Sequence, residues 1–189
     1  VAALCLTAAA PAATFNVSTY ADVSDPTPDG VCDSCSLREA IQEANFLAGP
    51  DVINLPPGTY NMDIAGADED GGLSGDLDIT DDVTIIGIGT TRIESHVGRI
   101  LHVHGGNVSI TGLTLLQGDS NIDQGSGSAG GAVHNAPGST LTLNRCTMTT
   151  NQAQGGGGAI FNAGTLSLNG STLTGNSAVG TSRGGAVLN

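Results

Sequence analysis

One phrase, returning at a fixed spacing, constrains this chain more than any other feature. Gly130-Gly131-Ala132-Val133-His134-Asn135 recurs as Gly157-Gly158-Ala159-Ile160-Phe161-Asn162 and again as Gly184-Gly185-Ala186-Val187-Leu188-Asn189. The step from 130 to 157 and from 157 to 184 is 27 residues both times. A period of roughly 20–50 residues marks a solenoid or a propeller, because each unit buries its apolar face only against the next. Propeller blades hold four strands in about 40–50 residues, so the shorter step favours a solenoid. Inside the last units Leu141-Thr-Leu143 matches Leu166-Ser-Leu168, Cys146-Thr-Met148 matches Thr172-Leu-Thr174, and Asn151 matches Asn176. Each unit therefore holds three strand-like runs divided by Gly or Asn.

These runs predict an all-β chain, a right-handed parallel β-helix with three strands per coil. Each strand then pairs with its equivalents in the neighbouring coils, about 4.8 Å away, and the hand follows the general bias of parallel crossovers. Alternating Leu-Thr-Leu puts leucines inside and threonines outside. Val133, Ile160 and Val187 form one internal column. Asn135, Asn162 and Asn189 sit where the chain bends, a position that asks for tolerance of the left-handed region, and their amides can stack into a ladder.

The composition suits narrow stacked coils: no Trp, two Tyr, three Phe and 29 Gly in 189 residues. Five Arg and no Lys stand against eighteen acids, for a formal net charge of −13. Nucleic acid is excluded as a partner, since its binding rests on phosphate neutralisation by Lys and Arg. An anionic membrane surface is disfavoured for the same reason. Residues 1–13, rich in Ala and Leu with small residues at 8–12, read as the remnant of a secretory signal peptide. They are too few to span a bilayer, and no other segment predicts a transmembrane helix.

Residues 14–50 read as an N-terminal cap. Thr14 to Tyr20 alternates as a strand. Ser36 and Glu39 then make an S-x-x-E capping box. Leu37, Ala40, Ile41 and Ala44 form one apolar stripe of an amphipathic helix, with Arg38, Gln42, Glu43 and Asn45 facing away; Gly49-Pro50 ends it. Residues 51–189 continue as extended runs, at 52–55, 83–86, 100–103, 108–110 and 113–115, and the last phrase predicts a coil cut in mid-repeat.

Cys35-Ser36-Leu37-Arg38-Glu39-Ala40 and the following Ile41-Gln-Glu-Ala-Asn45 and Asp51-Val-Ile-Asn-Leu-Pro-Pro-Gly-Thr-Tyr60 resemble the CSLREA-domain family. The similarity runs from about Thr14 through Gly75-Asp-Leu-Asp-Ile-Thr-Asp-Asp82. Past Gly130 the GGA-aliphatic phrases are also similar to the repeats of polymorphic outer-membrane proteins. The second motif of those repeats reads here Met148-Thr-Thr-Asn151 and Leu173-Thr-Gly-Asn176, without Phe. The first resemblance implies exported or cell-surface proteins with a right-handed β-helix behind an N-terminal cap, and carries no family-wide catalytic residues.

Three groups of residues are candidates for chemistry. Cys32 and Cys35 form a CxxC before a helix N-terminus. In an exported protein a structural disulfide stapling the cap is the favoured reading, with a redox pair as the alternative. Asp68, Glu69, Asp70, Asp76, Asp78, Asp81 and Asp82 gather seven acids into fifteen residues. Ca²⁺ wants six to eight oxygens, which makes Asp68, Asp70, Asp76 and Asp78 candidate ligands, with a solvated acidic loop as the competing reading. His102 and His104 share one face of a strand. If Val103 stacks on Val133, His104 lies beside His134, and three imidazoles can bind Zn²⁺ or Cu²⁺; chance stacking competes. No catalytic residues and no obligatory cofactor emerge.

The expected function is that of an exported or outer-membrane surface protein, a non-catalytic stalk or adhesive passenger meeting a surface polysaccharide or a host or cell-surface protein. The alternative is a carbohydrate-active β-helix enzyme, a polysaccharide lyase or glycoside hydrolase. A lyase needs a basic residue beside acids, and the arginines share no repeat position. A glycosidase needs two facing carboxylates.

Overall fold

The computed structural model of this chain describes residues 11–66, 70–122, 129–179 and 184–189. The chain is mostly β, and every strand pairing among the described residues is parallel. Strand β1 (Thr14–Asn16) precedes helix α1 (Leu37–Phe46). The chain then runs through β2 (Asp51–Leu55), β3 (Thr59–Met62) and β4 (Leu77–Ile79), followed by β5 (Val83–Gly87), β6 (Arg92–Ser95) and β7 (Leu101–Val103). Next come β8 (Asn107–Thr111), β9 (Thr114–Leu116) and β10 (Val133–Asn135). The last two passages are β11 (Thr140–Asn144), β12 (Thr147–Thr149), β13 (Gln152–Ala153) and β14 (Ile160–Asn162), then β15 (Thr165–Asn169), β16 (Thr172–Thr174), β17 (Ser177–Ala178) and β18 (Val187–Leu188).

From β2 onward each passage contributes one strand to each of three sheets, and β1 adds a sixth strand to the first. The first sheet runs β1-β2-β5-β8-β11-β15, the second β3-β6-β9-β12-β16 and the third β4-β7-β10-β14-β18. Neighbours in a sheet thus come from successive passages, never from adjacent strands of one passage. A fourth, two-stranded sheet pairs β13 with β17. Sequence patterning does not predict those two short strands; they lie in the links that precede the second and third GGA phrases.

Parallel register stacks like residues into columns that fill the interior. Phe15, Ile53, Ile85, Ile110, Leu143 and Leu168 align across the first sheet. Tyr60, Ile93, Leu115, Met148 and Leu173 align across the second. Leu77, Leu101, Val133, Ile160 and Val187 align across the third. Most of these side chains are fully buried in one apolar cluster, and removing such area from water is the main favourable term of folding. In the last passage the inward residues Leu166, Leu173 and Val187 are only partly covered, and Leu168 is exposed.

The asparagines occupy an inward column. Asn135 pairs with Val103, and Val103 with Ile79, so an apolar position of the early passages becomes Asn in the later ones. The Asn135 Nδ2 donates to Asn162 Oδ1 at 2.6 Å, and Asn162 Nδ2 donates to Asn189 Oδ1. Neither Asn135 nor Asn162 has positive φ, contrary to the expected left-handed bend. Their hydrogen-bond capacity, not their backbone tolerance, is what the position uses. A second ladder joins Asn151 Nδ2 to Asn176 Oδ1 at 2.9 Å. Left-handed positions fall elsewhere, among them Cys35, Gln117, Arg145 and Thr150 and the first glycine of each phrase. A Cβ on Gly130, Gly157 or Gly184 would lie 2.2, 2.1 or 2.3 Å from the carbonyl oxygen three residues on, which is why the phrase must open with glycine.

Helix α1 packs on β2 and β4 at the end of the sheets where the chain starts. Ser36 Oγ accepts the Glu39 N–H at 3.1 Å and the Glu39 carboxylate returns to the Ser36 N–H, completing the capping box. Leu37, Ala40, Ile41 and Ala44 enter the core as expected from their spacing. The opposite face does not meet solvent: Arg38, Gln42 and Glu43 are buried and Asn45 is half-buried. Irregular chain from 22–34 and the stretch 70–80 that contains β4 cover them, and each polar group satisfies backbone there. Arg38 binds both oxygens of Asp22, at 2.7 and 3.1 Å, and donates to the carbonyls of Gly72, Gly75 and Asp76. Gln42 Oε1 accepts the Asp25 N–H, and Glu43 Oε2 those of Asp29 and Gly30. Asn45 bridges the Asp78 carbonyl and the Thr80 N–H.

The expected strand from Thr14 is shorter than its alternation, since the chain leaves the sheet after Asn16. Ala13, at the end of the segment read as a signal remnant, adds a backbone bond from the Val52 N–H and donates to Asp51 Oδ1 at 2.7 Å; residues 1–10 lie outside the described residues. Among the described residues no helix is long and apolar enough to cross a membrane.

Candidate metal centre

The outer face of the third sheet carries the most concentrated chemistry of the described chain. Alternation turns Leu77 and Ile79 inward, so Asp78 between them points out; Leu101 and Val103 do the same for His102. Register then places Asp78 beside His102, and His102 beside His134. The row continues as Phe161 and Leu188. His104 follows β7 directly, where its N–H donates to the Ile79 carbonyl at 2.8 Å.

The expected pairing of Val103 with Val133 does not occur. Leu101 takes that place, and it is His102, two residues earlier, that faces His134. Ring centroids lie 3.6 Å apart for His102–His104 and 4.6 Å for His102–His134. His134 meets Phe161 edge-on at 4.8 Å. The three imidazoles are thus neighbours, but as a packed stack.

Four side chains from the two candidate sets converge instead. One ligand atom each from Asp70, Asp78, His102 and His104 all lie within 4.8 Å of one another. His104 Nε2 is 2.8 Å from Asp78 Oδ1 and 3.7 Å from Asp70 Oδ1, while His102 Nδ1 is 3.9 Å from the same Asp78 oxygen. The side chain of Asp78 is 1% exposed and that of Asp70 is 81% exposed. Gly72 N–H donates to Asp78 Oδ2 at 3.1 Å, fixing the buried carboxylate. Asp70 and Gly71 also border a groove with Gln42, Asn45 and Phe46 that opens to solvent.

Burial dominates the electrostatics. It pushes His102 down to about 3, helped by the charges of His104, Arg99 and His134, and His134 down to about 4, helped by Arg99 and His104. Both rings are therefore neutral at physiological pH; His134 Nδ1 is buried, with no hydrogen-bond partner among the described residues. Burial also raises Asp76, against the pull of Arg99, whose Nη1 sits 3.0 Å from Asp76 Oδ2.

The other candidates disperse. Asp68 and Glu69 lie outside the described residues. Asp76 is engaged by Arg99 and is not one of the four converging residues. Asp81 accepts the Asp82 N–H, and Asp82 accepts the backbone and amide N–H groups of Asn107, opening β8. Cys32 and Cys35 are disulfide-bonded across a Cα separation of 4.7 Å. Cys146 is buried and free, its thiol pushed up by burial.

Two residues with large roles carry no sequence signal. Asp22 is an isolated acid in a polar stretch, yet it receives Arg38 and the N–H groups of Asp63 and Ile64, each at 2.9 Å. Arg99 shares no repeat position with other arginines, yet it is buried, linking Asp76 to the Gly130 carbonyl at 3.2 Å. Compared with family models, curated proteins and solved structures, the chain matches none.

Proposed function

We propose that the three sheets are the faces of a right-handed parallel β-helix, and that the chain serves as a non-catalytic, exported surface scaffold of the CSLREA-domain type, a stalk or adhesive passenger. The observation that carries this reading is the pairing of every sheet strand with its counterpart from the preceding or following passage. Such stacking builds length and regular faces rather than a cleft. The residues of the CSLREA stretch each have a place in the end structure: Ser36 and Glu39 cap the helix, Leu37 and Ala40 enter the core, and Arg38 binds the segments that wrap it.

The outer rows favour a carbohydrate partner over a charged one. Thr140, Thr142 and Asn144 align with Thr165, Ser167 and Asn169, and Thr147 and Thr149 with Thr172 and Thr174. Rows of hydroxyls and amides match the donors and acceptors of a surface polysaccharide; a host or cell-surface protein is the other class of partner.

Two assays test this. Protease shaving of intact producing cells should remove the protein, and retention inside unpermeabilised cells would overturn export. Incubation of the whole protein with soluble surface polysaccharides should leave their length unchanged. Shortened chains would replace the scaffold reading with that of a carbohydrate-active enzyme.

A further inference from the structure

We infer that Asp70, Asp78, His102 and His104 form a binding site for a divalent transition-metal ion of the Zn²⁺ class, tying the irregular segment before β4 to the outer face of the third sheet. This stands whether or not the protein is exported.

The donor set selects the ion. Two imidazoles and two carboxylates are ligands of Zn²⁺ and its first-row neighbours, whereas Ca²⁺ and Mg²⁺ take oxygen alone. Two carboxylates also balance the ion's charge, and the nearby cation Arg99 is matched by Asp76.

The geometry fits without refolding. Tetrahedral Zn²⁺ with bonds of about 2.0–2.1 Å sets its ligand atoms roughly 3.4 Å apart. Three of the six separations here are 2.8, 3.7 and 3.9 Å, on either side of that value, and all six lie within 4.8 Å. The ion takes the place of the His104–Asp78 hydrogen bond, so His104 Nε2 coordinates in its unprotonated tautomer. Three ligands stand on or beside adjacent strands; Asp70, the exposed one, borders a groove open to solvent. The outer shell is already built. Gly72 N–H holds the second oxygen of Asp78, and Asn45 holds its carbonyl, the supports that orient a metal ligand. His134, stacked on His102, packs behind the site and is not a ligand.

Isothermal titration of the disulfide-intact protein with Zn²⁺ tests the inference; the disulfide is kept because reduced Cys32 and Cys35 would bind Zn²⁺ themselves. One ion per chain is expected, with X-ray absorption reporting two imidazoles in the shell. Asp70→Asn, at an exposed position, should keep the fold and weaken binding at least about tenfold. His104→Gln should do the same, with circular dichroism confirming its fold. His96→Gln, outside the group, should leave binding unchanged. No Zn²⁺ uptake, uptake unaltered in an Asp70→Asn/His104→Gln double variant, or displacement of Zn²⁺ by equimolar Ca²⁺ would each overturn it.

Discussion

Arg38 shows how much one side chain does at the start of this fold. Its guanidinium is fully buried and reaches five oxygens, two of them on Asp22. Removing one partner of a buried ion pair leaves the other uncompensated, at about 3–5 kcal/mol. Arg38→Ala is therefore expected to lower unfolding free energy by about that amount in urea titration. Arg38→Lys should rescue little, because an ammonium cannot reproduce the planar fork. Full rescue by Lys would refute this account of the motif.

The histidine stack carries a pH signature. His102 and His134 have folded values of about 3 and 4, below the ordinary 6.5. The unfolded chain thus binds protons first, and stability present above pH 6.5 is lost as pH falls toward those lower values. His102 is faced by Asp78, His104, His134 and Arg99. Glu43, Asp51 and Asp76, raised by burial, bind protons earlier in the folded state and so oppose the loss. His134→Phe copies the next residue in its row, Phe161. With chelator present, its melting temperature should fall less between pH 7 and 4.5 than that of the parent. Equal falls would contradict the burial of His134.

At the scale of elements, the GGA phrase can be tested against an ordinary turn. Gly157 has φ +62° and an added Cβ would strike the Ile160 carbonyl, whereas Gly138 has φ +86° with nothing near. Gly138→Ala should cost about 1–2 kcal/mol, the backbone strain alone. Gly157→Ala adds the collision and should cost clearly more, read by thermal or urea unfolding. Equal costs would show that the phrase only needs a flexible residue.

Which elements are legible in the sequence follows from their side chains. Leu141-Thr-Leu143 and Leu166-Ser-Leu168 announce strands because alternation is uninterrupted. The strands β3, β4 and β6 hold Asn61, Asp78 and Glu94 on their outer sides over only three or four residues, too short for a pattern to emerge. Helix α1 is readable from its apolar stripe and capping box. Its polar face is misread as solvent-facing because the chain covering it, 22–34 just before the helix and 70–80 well after it, has no periodicity to announce the contact. The metal-ligand group is split for a similar reason. Asp78 looks like part of a solvated acidic run, and the His register slips by two when Val103 is matched to Val133. The inward column that holds Ile79 and Val103 holds Asn135 and Asn162 later, so apolar identity cannot set the alignment.

At the scale of the molecule, the fold rests on repetition across passages of unequal length. The Asn135–Asn162 rung spans 27 residues, while the Asn144–Asn169 and Asn151–Asn176 rungs in the same passages span 25. Unequal links and constant register mean that the strands, not the loops, set the stacking, and the columns of like residues supply the reason. Each inner strand of the three sheets lies between its counterparts from the passages before and after. Interstrand proton–proton contacts by nuclear magnetic resonance test it most directly at β11. Parallel contacts are expected from Thr140–Asn144 to Asn107–Thr111 on one side and to Thr165–Asn169 on the other. Antiparallel contacts between β11 and β12, as in a hairpin, would contradict it.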